Sequence, residues 1–179
     1  MRISAKADYA LRGMAELARS DPGHPVKADY IAEAQDIPLN FLQVILSQLK
    51  HARLVRANRG SDGGYFLSRP PQEITLADVL RAVEGPLVDL HDSRIGELEY
   101  QGAAEPLVLV WMAVRTNVRA VLESVTLRDV AAGRLPAGIE ALARTYREVP
   151  RPPGQETDRM ARDAEDIPPG SGTNIPWTA

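Results

Sequence analysis

The chain of 179 residues contains no cysteine. A disulfide scaffold and an all-cysteine iron–sulfur cluster both need thiol groups, so the sequence excludes both. Thiol oxidation is excluded as a regulatory switch for the same reason. Any signal that this chain responds to must therefore use other chemistry.

Histidine is scarce as well, with only His24, His51 and His91 in the chain. These three are scattered, and no serine or carboxylate pair stands beside them at a spacing typical of nucleophilic or acid–base catalysis. The glycines of the chain follow no Rossmann strand and precede no Walker lysine, so they do not predict a nucleotide-binding loop. The sequence therefore predicts a protein that is not an enzyme.

Long apolar runs are also missing. No stretch approaches the roughly eighteen uninterrupted apolar residues that a membrane-spanning helix needs. Residues 1–6 lead into an amphipathic helix without the apolar run of a signal peptide. We therefore expect a cytoplasmic protein with no membrane partner.

Acidic residues are absent from one segment, residues 37–61, in a chain whose net charge is −3. The same segment contains Lys50, Arg53, Arg56 and Arg59, which give it a local charge of +4. Such a concentration of cations is typical of a surface that binds polyanions.

A glycine turn between two short apolar strands follows within residues 54–70. The pattern predicts a hairpin in which Gly60, Gly63 and Gly64 allow positive backbone angles and a close approach to a groove. Arg59 stands at the tip, where a narrow minor groove would attract it. An ordinary solvated hairpin is the alternative.

Two helices around a tight turn precede this hairpin. The spacing predicts a helix over 27–35, with Tyr30 on its inward face, and a second over 39–51, with Phe41 on its inward face. Helix, turn, helix and basic hairpin in this order predict a winged helix-turn-helix. Amide side chains on the second helix can pair with adenine, although a merely polar face is the alternative. The candidate DNA-binding residues are Asn40, Gln43, Ser47, Lys50, Arg56, Arg59, Gly60 and Ser61.

The longest apolar-rich stretch covers residues 105–124, and it is apolar on more than one side. A helix with two apolar faces needs two partners, which predicts that one face covers its own domain and the other meets a second protomer. A central helix buried in a monomer is the alternative. The candidate dimer-interface residues are Leu107, Trp111, Val114, Val118 and Val121.

Four segments together, 3–12, 38–46, 59–65 and 73–85, resemble the Rrf-type transcriptional regulators, the group that contains the iron–sulfur regulators IscR and NsrR. The resemblance covers roughly residues 1–135. It implies a dimeric winged helix-turn-helix protein, in which Asn40 and Gln43 read bases and Arg59 enters the minor groove. It also implies a redox or nitric oxide sensor that holds a cluster through three cysteines.

The chain departs from that pattern because it has no cysteine. Carboxylates and one imidazole could still hold a hard divalent ion, although surface carboxylates are usually only solvated. The candidate metal ligands are Asp8, His91, Glu97, Glu99 and Glu105. We expect no cofactor, and a small-molecule effector is one of the signals left open.

The predicted fold is mainly α with a small β-hairpin wing, a winged helix-turn-helix plus a long dimerisation helix. We expect a DNA-binding domain over 1–85, a linker loop, the dimerisation helix and C-terminal helices over 86–147, and a disordered tail over 148–179. Nine of the last 32 residues are proline or glycine and only Trp177 is aromatic, so this segment cannot bury enough apolar area to offset its chain entropy.

The predicted function is that of a homodimeric, sequence-specific transcription factor, a repressor that binds a palindromic operator in double-stranded DNA. The alternative is a winged-helix interaction module that no longer binds DNA. The absence of acidic residues over 37–61 favours the first, because loss of DNA contact would remove the reason to exclude them.

Overall fold

A computed structural model describes residues 3–21, 23–60, 63–86 and 99–148, with side chains up to residue 146. The predicted tail over 148–179 lies almost wholly outside these ranges. The helices and strands are α1 (Ala5–Arg19), α2 (Ala28–Gln35), α3 (Leu39–His51), β1 (Val55–Asn58), β2 (Gly64–Leu67), α4 (Leu76–Glu84), α5 (Leu107–Ser124), α6 (Leu127–Ala131) and α7 (Ala137–Glu148). The prediction of a mainly helical fold with one hairpin is confirmed.

One hydrophobic core joins α1, α3, α4 and α6. Met14 of α1, Leu46 of α3, Val79 of α4 and Leu127 of α6 are all fully buried in it. Ser4 caps the start of α1, because its hydroxyl accepts a hydrogen bond from the Ala7 N–H at 3.0 Å and so satisfies one free amide of the first turn.

The turn between α2 and α3 depends on Asp36. This residue adopts a left-handed conformation with φ 50°, and its N–H reaches the carbonyl oxygens of Ala32 and Glu33. Aspartate tolerates this conformation better than most residues. α3 then begins directly after Pro38, and its bounds are those predicted from the sequence.

Two predicted inward residues of these helices lie outside the core. Tyr30 is 58% exposed, since the buried face of α2 consists only of Ile31 and Ala32. Phe41 is also exposed in part, and its ring meets Tyr9 edge to face with centroids 5.8 Å apart. The predicted helices are correct, but the buried face of each is narrower than the sequence pattern predicted.

The hairpin pairs Arg56 with Phe66 and Asn58 with Gly64 in antiparallel register. Among the described turn glycines, only Gly60 has a positive φ, 113°. Gly64 is needed for a different reason, because an added Cβ would lie 2.6 Å from the carbonyl oxygen of Val26. The expectation of positive angles at Gly63 and Gly64 was therefore wrong, since close packing decides the residue type there.

The segment after α5 returns to the body of the fold. The Leu76 N–H donates to the Val125 carbonyl at 3.0 Å, and the Leu127 N–H donates to the Ile74 carbonyl at 2.9 Å. Capping boxes start the helices on both sides, Thr75 with Asp78 and Thr126 with Asp129. These contacts fix the carboxyl end of α5 to the winged helix-turn-helix.

An ion pair adds to this junction, because Glu123 of α5 accepts hydrogen bonds from Arg81 of α4 and from Arg119. These bonds, Arg81 first, lower the pKa of Glu123 below its ordinary value of 4.5. A carboxylate with a lowered pKa contributes stability above its unfolded pKa and loses it as the pH falls through the folded pKa.

α5 has no fully buried side chain. Leu109 is 68% exposed, and Leu107, Val114 and Val121 are exposed as well, whereas Trp111 and Val118 are half-buried. The chain divides into two units, Met1–Glu140 and Ala141–Ala179, and α7 crosses that division. Among the helices of the described residues, none is long and apolar enough to cross a membrane.

Candidate nucleic-acid interface

α3 presents one polar side to solvent. Its buried residues recur at three- and four-residue spacing, which leaves Asn40, Gln43, Ser47 and Lys50 exposed. At 100° per residue, Asn40 and Ser47 lie opposite the buried face, and Gln43 and Lys50 lie towards one edge of the exposed side. The four predicted helix residues are thus all accessible to a ligand.

A concave surface of about 360 Å³ joins α3 to the wing and to the start of α2. It is lined by Lys27, Ala28, Asp29, Leu39, Gln43, Gly60, Gly63 and Gly64. The structure therefore brings together two predicted residues, Gln43 and Gly60, that are far apart in the chain. It adds Lys27, which the sequence reasoning missed, although a lysine directly before the first helix of the motif could have signalled it.

Arg59 follows β1 directly, and it is exposed beside Gly60. Among the described residues, Arg59 and Lys50 form no salt bridge. Cations without a carboxylate partner are available to contact phosphates. Ser61, the remaining wing residue of the prediction, lies outside the described residues.

Arg56 is placed elsewhere. Its guanidinium lies over the ring of Phe66, 5.1 Å from the centroid, and it lines a separate cavity that shares no residue with the concave surface. The alternation of side chains along β1 causes this separation, because Arg56 pairs with Phe66 on one face of the hairpin whereas Tyr65 packs on the core. The structure thus does not bring Arg56 to Gln43.

Val44 is a further exposed residue of α3 that the sequence reasoning missed. Its side chain is 55% exposed, in the same outward sector as Asn40 and Ser47. Exposure of a β-branched apolar side chain to water is unfavourable. In a major groove the same side chain can make an apolar contact with the C5-methyl group of thymine. Its exposure on a polar helix face was the available signal.

The candidate metal ligands do not form a cluster in the described residues. Asp8 forms a salt bridge with Arg12 at 3.3 Å, and Arg12 also donates to Gln35 at 3.3 Å. Glu99 and Glu105 are exposed, and no group of three histidine, aspartate or glutamate side chains comes together in the described ranges. His91 and Glu97 lie outside those ranges.

Comparison with known proteins identifies the family. The profile of Rrf2, described as "Iron-dependent Transcriptional regulator", matches residues 3–133. This chain belongs to the Rrf2 family. The resemblance inferred from the four sequence segments is thereby confirmed.

Individual Rrf2 relatives match over most of their length. The chain is 50% identical over 147 residues to Rv1287 of Mycobacterium tuberculosis, a candidate HTH-type transcriptional regulator, covering 82% of this chain and 91% of that one. The structure of CymR of Bacillus subtilis, "the Global Cysteine Regulator", has a TM-score of 0.62 and 34% identity, covering 74% of this chain and 97% of that one. The structure of IscR of T. potens has a TM-score of 0.58 and 26% identity, covering 85% of this chain and 94% of that one.

The family description and the names of its relatives indicate a DNA-binding transcriptional regulator of the helix-turn-helix type and not an enzyme, as predicted from the sequence. The family description also implies iron. The residues of this chain do not fit a cysteine-ligated cluster, because the sequence has no cysteine.

Proposed function

We propose that this protein is a homodimeric repressor that reads a palindromic operator without using a cysteine-ligated cluster. The observation that carries the proposal is the concave surface on which Gln43 of α3, Gly60 of the wing and Lys27 before α2 come together. Those three elements are the ones that a winged helix-turn-helix brings to DNA.

α3 enters the major groove in this proposal. Asn40, Gln43 and Ser47 face base edges, and Val44 contacts a thymine methyl group. Lys50 contacts a phosphate, as a cation near one edge of the exposed side. The exposure of all five side chains supports the assignment.

The wing supplies a second contact. Arg59 enters the minor groove next to the segment that α3 reads, because it stands beside Gly60, whose positive φ turns the chain at the tip. The side chain is exposed and has no carboxylate partner among the described residues.

A second copy of the chain covers α5. The apolar seam of Leu107, Trp111, Val114, Val118 and Val121 runs along one side of a helix that buries none of these residues completely in the single chain. The indole N–H of Trp111 is buried without a hydrogen-bond partner among the described residues. Two-fold pairing of α5 would place two copies of α3 and the wing on one duplex, and a palindromic operator has two half-sites that require two such copies.

The dimer represses by occupying the operator, because two DNA-binding domains cover this DNA and exclude other proteins from it. CymR is named as a cysteine regulator. Genes of cysteine metabolism are therefore one defined set of targets to test for this chain. In this proposal the protein acts in the cytoplasm.

Selection from a random duplex library tests the proposal. The full chain should enrich a palindromic sequence, and Gln43→Ala should lose discrimination between this sequence and its single-base variants by about 1–3 kcal/mol per half-site. Gln101→Ala is the matched control, because Gln101 is exposed outside the concave surface. Failure to enrich any sequence would favour the interaction-module alternative.

A further inference from the structure

A second cavity, of about 550 Å³, lies on the wing side of the fold. The end of α1, the segment after it, β2, the turn at Pro70 and Pro71, and α6 all contribute to it. Its apolar lining includes Leu17, Phe66 and Leu67. This volume and lining suit a small organic molecule with an apolar body.

Positive charge surrounds this cavity. Arg56, Arg69 and Arg128 line it together with His24, and Asp21 is the single acidic residue among the described lining residues. Within the described part of the chain, Arg56 and Arg128 form no salt bridge, and Arg69 reaches Asp78 only at 3.9 Å. Arg56 and Arg128 therefore have no carboxylate partner in the described ranges, and Arg69 has only a long ion pair.

A hydroxyl group points to the same conclusion. Ser68 lines the cavity, and its Oγ is buried without a hydrogen-bond partner among the described residues. Buried polar groups are satisfied in most proteins, so a water, or a ligand toward which the side chain turns, would complete the contact of this hydroxyl.

We propose that this cavity binds a small organic anion, an apolar body with one carboxylate or sulfonate group, as an effector of the regulator. The guanidinium groups pair with the anionic group, the Ser68 hydroxyl donates to it, and Phe66 packs on the apolar body. The cavity shares no residue with the concave surface that holds Gln43 and Gly60, so the proposal assigns it a ligand other than the DNA read there.

The cavity is placed to couple such a ligand to DNA binding. Phe66 belongs to the wing, and Arg128 belongs to α6, which follows α5 after two residues. A ligand that pairs with Arg56 and Arg128 together fixes the wing relative to the end of α5. The regulatory part of this inference rests on the proposed function, whereas the binding part does not.

Titration of the DNA-free chain with the fluorescent anion anilinonaphthalene sulfonate tests the binding. The wild type should bind one probe per protomer in the cavity, and Arg69→Gln with Arg128→Gln should weaken this binding about tenfold or more. 2-Naphthoate should displace the probe, and the neutral 2-naphthamide should not. The matched control is Arg134→Gln with Arg144→Gln, which removes the same charge from exposed positions outside the cavity.

Each outcome of this titration decides the proposal. Equal binding in wild type, cavity variant and control would overturn it, since the probe would then sit on an apolar surface such as α5. Displacement of the probe by any duplex, with loss of DNA affinity in the cavity variant, would also overturn it in favour of a phosphate site. Arg128→Gln alone is the second variant if the double variant loses its helical circular dichroism.

Operator affinity of the same variants is measured separately. Because the probe binds in the absence of DNA, a chain that binds the probe but no operator would contradict only the proposed function. A chain that binds the operator but not the probe would contradict only the effector site.

Discussion

At the scale of single residues, the exposed side of α3 holds groups of different chemistry side by side. Gln43 can form two hydrogen bonds with a base edge, Lys50 carries only a point charge, and Val44 offers only methyl groups. Removing each side chain should therefore impair a different component of DNA binding, and the three effects can be measured independently.

Lys50→Ala should weaken binding to every duplex by a similar factor. Because a phosphate contact releases counterions regardless of sequence, the slope of log affinity against log salt should fall by about one per protomer. Affinities at several salt concentrations give this slope. Arg134→Ala is the control, since Arg134 is exposed outside the concave surface. An unchanged slope, or a selective loss on the operator, would show that Lys50 contacts no phosphate.

Val44→Ala should lose recognition of one thymine methyl group in each half-site. Replacing that thymine by deoxyuridine should cost the wild type about 0.8 kcal/mol per half-site, the value of one buried methyl group, and should cost Val44→Ala less, because the shorter side chain contacts the methyl group less. Equilibrium binding to a set of singly substituted operators measures both. If no deoxyuridine substitution distinguishes the two proteins, Val44 does not read thymine.

At the scale of elements, α5 differs from α1 and α3 because it has no fully buried side chain in the single chain and many of its apolar side chains are exposed. α1 and α3 bury their apolar faces against each other and against α4. The seam of α5 is a contiguous row of exposed and half-buried apolar side chains, and exposed apolar surfaces often mark contacts between proteins.

Val114→Asp should convert the dimer into monomers, because it would bury an unpaired carboxylate in the seam. Sedimentation at micromolar concentration measures the state. Thr116→Asp is the control, since it adds the same charge about 200° away around the helix. A wild type that sediments as a monomer, or equal dissociation of both variants, would contradict the assigned interface.

Local signals in the sequence were sufficient for several elements. The spacing of apolar residues predicted α3 with its observed bounds, and the glycine turn between apolar strands predicted the hairpin. The exposure of Tyr30 and Phe41 could not be predicted, because it depends on how much of each helix its neighbours cover. The separation of Arg56 from Gln43 depends on the register of the hairpin, which apolar strands with a glycine turn leave open.

At the scale of the whole molecule, the chain keeps the fold of an Rrf2 regulator without the thiolates that a cysteine-ligated cluster needs. Within the described residues, the carboxylates offer no group of three that could replace them. The fold connects the wing, the cavity beside it and the end of α5 through α6 and the segment before it. Regulation by a ligand in that cavity would need no metal.

Protein purified without oxygen should be colourless and free of iron–sulfur absorption, because no thiolate is available to hold a cluster. The absorption spectrum, with iron and sulfide analysis, measures this. Asp8→Ala should change none of these values, since the wild type has no cluster for Asp8 to ligate. Stoichiometric iron and sulfide that disappear in Asp8→Ala would contradict the expectation.

The central claim is that the chain reads sequence. The most direct measurement is the ratio of dissociation constants for the selected palindromic operator and a scrambled duplex of the same composition, at moderate salt. We expect the operator to bind at least about 10³-fold more tightly, as specific regulators do. A ratio near one would show that the basic surface binds DNA without reading it, and would contradict the account.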